Sequence, residues 1–228
     1  MDGSLDTHEI GGSKSMDEKS CEIALYKNPR IKFRATPGHF STNLHHTNFY
    51  LDVGTLKSNA RTAKEVAREL AVPYISSTIV ETIVCMENTK VIGAFLAQEL
   101  LQEGTAVMNS GGEINVVTPI NSTDGKLIFY DSELEWIEDR HIILLTAQVI
   151  SGRILTNAME CISYYKGLID GISTLFLYPE VLTHLKINTI FTPDNIEDYS
   201  VFTTGECEMC KSGCKLDAII SSDGYMKI

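Results

Sequence analysis

Residues able to do chemistry fall into a few short segments of this chain. In His141–Leu155 (HIILLTAQVISGRIL) an apolar run passes into Ser151-Gly152 and then into a helical pattern. A strand, loop and helix in that order can hold an anion. Unpaired N–H groups at the helix start point outward, a small hydroxyl adds a donor, and glycine lets a phosphate come close. Ser-Gly also closes many strand-to-helix turns for structural reasons alone, and on these residues both readings stay open. Arg153, inside the same loop, is either a second phosphate contact or a helix surface charge. In Met86–Lys90 (MENTK), Lys90 opens a predicted helix, where a cation opposes the helix dipole. An anion facing it would explain that placement; a solvated surface lysine is the alternative.

Two further groups suggest metal or acid–base chemistry. Cys207-x-x-Cys210, followed by Cys214, has the knuckle spacing of a zinc site, with Gly213 permitting a tight turn. A structural Zn2+ takes four ligands, so the fourth would come from elsewhere in the chain or from a second subunit; three free thiols are the alternative. His39, His45 and His46 lie near Tyr50 and Asp52. The adjacent His45 and His46 would point to opposite faces of a strand and could not easily share one ion. They are expected to serve as polar residues of turns and interfaces; contact of one of them with a base-like ligand is the alternative.

The elements that position these residues alternate. Ser58–Ala71 places Ala63, Val66, Ala67 and Leu70 on one helical face. Thr82–Cys85 reads as a buried strand, Val91–Gln102 as a helix with Thr89 as N-cap, and Ala106–Asn109 as the next strand. Ile114–Thr118 and Leu127–Tyr130 are predicted to form a hairpin around the Asp124-Gly125 turn. Ile142–Leu145 is a strand, a helix runs from Gly152 to about Tyr165 and ends at Gly167, and Ile172–Leu177 and Ile187–Phe191 are strands. Alternation of this kind favours a mostly parallel sheet covered on both faces, with ligands at the carboxyl edge.

Composition sets bounds. The 228 residues suit one sizeable core plus an appendage. Residues 1–20 read as a flexible polar leader and 21–228 as a single domain, with 205–228 a Cys-containing C-terminal appendage. With 19 basic residues scattered among 30 acidic ones and a net charge of -11, a nucleic-acid partner is not expected. No apolar run approaches the roughly 18 residues that cross a bilayer, so no membrane partner is expected and a cytoplasmic location is the default. Six cysteines in such a chain are not expected to form a disulfide framework.

The stretch His141–Leu155 resembles the phosphoribosyl pyrophosphate motif of type I phosphoribosyltransferases, in which a hydrophobic run, two acids and a Thr- and Gly-rich loop follow one another. Ile142–Leu145 take the hydrophobic run and Ser151-Gly152 the phosphate-cradling loop. Gly38–Leu70 resembles the N-terminal region of orotate phosphoribosyltransferases, with Tyr50-Leu51-Asp52 matching their Tyr-x-Asp. Cys207–Asp217 (CEMCKSGCKLD) resembles a Cys-x-x-Cys-Lys-x-Gly tail of some members. The resemblance implies an α/β fold of type I phosphoribosyltransferase kind: a mostly parallel sheet covered by helices on both faces, with a small N-/C-terminal hood and a β-hairpin. It implies a phosphate- and ribose-binding stretch of Thr146, Ala147, Gln148, Val149, Ile150, Ser151, Gly152 and Arg153, and a pyrophosphate loop of Glu87, Asn88, Thr89 and Lys90. It further implies Mg2+ on the diphosphate, a phosphorylated sugar or nucleotide as ligand, and a homodimer.

The chain departs from that family where catalysis is concentrated. Thr146 and Ala147 stand where the family has adjacent acids that hold the ribose hydroxyls. Losing a charged contact of that kind costs about 2–5 kcal/mol, and each 1.4 kcal/mol or so is tenfold in rate. The family's Arg- and Lys-rich lid is also reduced: the segment Ile114–Tyr130 carries Lys126 as its one cation. Two functions therefore stay open. One is transfer of a phosphoribosyl group between phosphoribosyl pyrophosphate and a base such as orotate; the other is a non-catalytic module that binds a nucleotide or phosphoribosyl pyrophosphate without turnover. A purely structural subunit would do neither.

Overall fold

The computed structural model describes residues 19–42, 44–123, 125–179, 184–221 and 224–228. Most of the expected leader, and Asp124 of the expected turn, lie outside them.

The short apolar runs in the middle of the chain become a parallel sheet. Its strands are β4 (Thr82–Cys85), β5 (Asn115–Val117), β8 (His141–Val149), β9 (Leu168–Leu177) and β10 (Asn188–Phe191), in the order β10-β9-β8-β4-β5. Every neighbouring pair is parallel. Because alternate side chains leave opposite faces, Ile83, Cys85, Ile143 and Leu145 face one core and Val84, Ile142 and Leu144 another. Helices α2 (Ala60–Ala71) and α3 (Lys90–Leu100) cover the first face, and α4 (Arg153–Tyr164) covers the second. The doubly covered parallel sheet expected from sequence is the fold observed.

A second, mostly antiparallel sheet forms the hood. The N-terminal strands β1 (Cys21–Leu25), β2 (Asn28–Ser41) and β3 (His45–Asp52) join β11 (Val201–Thr203), β12 (Ala218–Ser221) and β13 (Gly224–Lys227). The order is β11-β3-β2-β12-β13, with β1 paired to the first half of β2. Ile31, Phe33, Ala35 and Leu51 of this sheet enter the core shared with α2 and α3. The one-turn helix α1 (Gly54–Ser58) links β3 to α2, and Asn59 caps α2 by accepting from the Arg61 and Thr62 amides. Among the described residues no helix is long and apolar enough to cross a membrane.

Two expectations are corrected. Ala106–Asn109 is not a strand but a set of turns, and β5 is the strand that follows α3. The side chain of Asn109 works there as a substitute ladder, accepting from the Val80 amide at 2.8 Å and donating to the Thr78 carbonyl at 3.0 Å. The hairpin is shorter than expected: β6 (Ile120–Asn121) pairs with β7 (Leu127–Ile128), while Asn115–Val117 joins the parallel sheet instead. Pro119, which cannot donate to a ladder, separates the two. Helix α4 ends before Gly167 as expected, with Lys166 turning left-handed at φ 61°. Gly167 is needed for room, since a Cβ there would meet Ile142 Cδ1 and Ile162 Cγ2 at 2.6 Å.

Candidate functional site

At the carboxyl ends of β4 and β8 the two sheets enclose a cavity of about 620 Å³, within the size range of small-molecule sites. Its floor is the loop from Gln148 to Gly152 with the first residues of α4. One wall runs from Phe49 to Ser58, Glu87 and Asn88 form another, and the hood closes it with Thr42, Leu44, His45, Tyr199, Ile220 and Ser221. Three of the segments singled out from sequence, Gly38–Leu70, Met86–Lys90 and His141–Leu155, therefore meet at one space, although some of their side chains do not reach it.

The floor turns from strand to helix at a glycine. Gly152 occupies the N-cap of α4 at φ 74°, a left-handed backbone that disfavours a Cβ, and no side chain caps the helix there. Ser151 and Arg153 are exposed, and the Arg153 amide lies 3.5 Å from the Ser151 hydroxyl. Thr146 and Ala147, by contrast, are buried and do not line the cavity. The Thr146 hydroxyl donates to Thr174 at 3.2 Å inside the sheet.

Glu87 joins the two loops. Its carboxylate accepts from the amides of Ala147 at 2.9 Å and Gln148 at 3.2 Å. Glu87 and Asn88 both adopt left-handed backbone, φ 50° and 62°, which is uncommon for residues with a Cβ. Burial pushes the Glu87 carboxyl above its usual range, against the opposing pull of those two amides and of Lys57. Lys57, in the last turn of α1, donates to the Glu87 carbonyl at 2.9 Å. Across the wall, Gln148 donates to the Leu51 carbonyl at 3.1 Å and Asp52 accepts from the Gly54 amide at 3.0 Å.

Two residues of the expected pyrophosphate loop stand elsewhere. Thr89 is buried, with its hydroxyl donating to the Met86 carbonyl at 2.7 Å instead of capping α3. Lys90 is exposed at the start of α3 and does not line the cavity. Besides Arg153, Lys57 lines the cavity, a cation that sequence reasoning passed over. Its one signal was position: a lysine in the turn directly after Tyr50-Leu51-Asp52.

A separate group gathers behind the hood. His39, His46, Cys207 and Cys210 bring one ligand atom each within 4.8 Å of one another, so that the group could hold a metal ion. Cys214, expected as a third cysteine ligand, is outside it: the residue is exposed, with Sγ 3.6 Å from the Lys215 carbonyl. The remaining ligands are histidines, and the expected separation of His45 from His46 is what the structure shows. Strand alternation sends His45 to the cavity and His46 to the cluster. His39 reaches the same side from β2, where it lies two residues before Ser41, the partner of His46.

No protein-family model matches the chain, and no curated protein matches it. Its structural neighbours are type I phosphoribosyltransferases. An orotate phosphoribosyltransferase of Mycobacterium tuberculosis aligns at 8% identity and a TM-score of 0.48, covering 67% of this chain and 85% of that one. Adenine phosphoribosyltransferases align similarly. That of Leishmania donovani gives 12% identity and a TM-score of 0.47 over 66% of this chain and 73% of its own. That of Trypanosoma brucei gives 10% and 0.49 over 71% and 78%.

Proposed function

We propose that the cavity binds a 5′-phosphorylated ribose, as a nucleotide or phosphoribosyl pyrophosphate, and does not transfer the phosphoribosyl group. The observation that carries this reading is the end of β8. Its loop offers an uncapped helix start, Ser151 and Arg153 to an anion, while Thr146 and Ala147 are turned into the sheet. A phosphate gains from the helix dipole and from N–H donors that need no reorganisation. Nothing on β8 replaces the carboxylates that would orient the ribose of a reacting sugar. Phe49, Tyr50 and Tyr199 on the walls give a nucleobase flat apolar faces to lie against.

Mg2+ belongs to this reading as a companion of the ligand. Asp52 and Glu87 are the carboxylates lining the cavity among the described residues, and each already accepts a backbone amide. They fit an ion that arrives with diphosphate oxygens, not one caged by protein alone. A homodimer and a cytoplasmic location, both expected from sequence, complete the proposal.

Transfer is the second reading, and Glu87 is what favours it. Its carboxylate sits against the amides of Ala147 and Gln148, beside the position the family's acids would take. An acid supplied from the neighbouring loop could hold ribose hydroxyls in their place.

The phosphate claim is tested by comparing a nucleoside with its 5′-monophosphate in a competition titration. The monophosphate should bind at least about tenfold more tightly, an advantage of roughly 1.4 kcal/mol, and Arg153→Ala together with Ser151→Ala should erase most of the difference. Equal affinity for the two ligands would remove the anion cradle from the account.

A further inference from the structure

We infer that His39, His46, Cys207 and Cys210 bind one structural Zn2+ that fastens the C-terminal tail to the hood. The four residues come from three places: β2, β3 and the turn around α5 (Glu208–Lys211), 161 or more positions away along the chain. Their ligand atoms nevertheless come within 4.8 Å of one another.

The spacing of those atoms fits a tetrahedron around a metal. With Zn–N near 2.05 Å and Zn–S near 2.3 Å, tetrahedral geometry puts two nitrogens about 3.3 Å apart and a nitrogen and a sulfur about 3.6 Å apart. The His39 Nε2 to His46 Nδ1 distance is 3.0 Å. The sulfur–nitrogen distances are 3.4 Å for Cys207 to His39, 3.6 Å for Cys210 to His39 and 3.3 Å for Cys210 to His46. Two imidazoles and two thiols at those separations match the edges of one coordination shell.

Surrounding contacts prepare the ligands. His39 Nδ1 must donate to the Cys214 carbonyl, 3.0 Å away, because a carbonyl can only accept. That bond leaves Nε2 with its lone pair directed at the cluster, the arrangement by which outer contacts orient a metal-bound histidine. The His39 amide donates to Asp217 at 2.8 Å, and the Asp217 amide donates back to the His39 carbonyl at 2.8 Å. Cys214 thus contributes its backbone and not its sulfur. His39, His46 and Cys207 are buried, and only Cys210 reaches the surface, so the four protein ligands leave no evident place for substrate or water. A closed S2N2 set of this kind suits zinc held for structure, not for catalysis.

The fastening has a mechanical consequence. Immediately after the cluster the chain enters β12, which pairs in parallel with the end of β2 and, with Ile220 and Ser221, closes the cavity. A metal across β2, β3 and the tail would hold that wall without a large apolar core beneath it.

The test is metal analysis of the full chain purified under reducing conditions, with cobalt substitution alongside. One Zn2+ per chain should survive gel filtration, and Co2+ exchanged into the site should give tetrahedral ligand-field bands with thiolate charge transfer. Cys207→Ser and His46→Ala should lose the bound metal, whereas Cys214→Ser should keep it. If the ligand variants fail to fold, the cobalt spectrum of the unmodified chain decides. Wild-type protein that carries no zinc and gives no cobalt–thiolate spectrum would overturn the inference, as would a Cys214→Ser protein that loses metal as Cys207→Ser does. A metal-free protein with Cys207 and Cys210 joined as a disulfide would overturn it too.

Discussion

Replacing Glu87 separates its hydrogen bonds from its charge. The carboxylate accepts from the Ala147 and Gln148 amides at 2.9 and 3.2 Å, and bonds to a charged group are worth about 1.5–3 kcal/mol each. Desolvation of the charge outweighs those bonds, as the raised carboxyl shows, so what the alanine variant loses is the pairing of two buried amides. Glu87→Ala, which strands both amides, should therefore cost a net of about 2–4 kcal/mol. Glu87→Gln can still accept from both amides through its carbonyl oxygen and should stay within about 1 kcal/mol of the natural chain. The sign of the pH dependence follows from linkage. Above the unfolded value of 4.5 the unfolded chain loses its proton while the folded chain, with a raised value, keeps it. Stability from this group is thus full below 4.5 and falls as pH rises through the folded value. Urea unfolding at pH 4 and pH 7 should show Glu87→Gln gaining on the natural chain at the higher pH. A glutamine variant as damaged as the alanine variant, or an alanine variant with no loss, would refute the role given to Glu87.

Other expectations concern the floor and the hood. Gly152→Ala, forced into a left-handed backbone at φ 74°, should lose about 1–2 kcal/mol in the same unfolding assay and weaken phosphate binding in a titration. Thr146→Asp with Ala147→Asp should not restore a family-like site. Both positions are buried away from the cavity, so the pair should destabilise the chain by several kcal/mol, read as a lower thermal midpoint with no gain in affinity. Treating the protein with a zinc chelator should lower both its thermal midpoint and its ligand affinity, and both should recover when Zn2+ is returned.

The parallel sheet was legible because its strands are short, apolar and flanked by helix patterns. Thr82–Cys85 and Ile142–Leu145 needed only their side-chain types to be placed, and the structure pairs them directly. The errors came where tertiary contacts override local signals. Ala106–Asn109 looks like a strand until Asn109 is seen bonding to Thr78 and Val80. The turn from β8 into α4 could be located because Ser151-Gly152 ends an apolar run and opens a helical pattern, and Gly152 is the N-cap there. Which way Thr146 and Ala147 face depends on the register of β8 between β4 and β9, and no local pattern encodes that. The His/Cys group was half visible: Cys207 and Cys210 announce themselves by spacing, but His39 and His46 meet only because β2 and β3 are neighbours.

The most direct test of the central claim is a calorimetric titration of the full chain with phosphoribosyl pyrophosphate and Mg2+, followed by orotate and other bases with product analysis. The account predicts saturable binding that requires the 5′-phosphate, with no nucleotide formed. Nucleotide product would contradict the claim that the site binds without transfer and would give Glu87 the part of the missing acids. Absence of binding to both phosphoribosyl pyrophosphate and nucleotides would contradict the site itself.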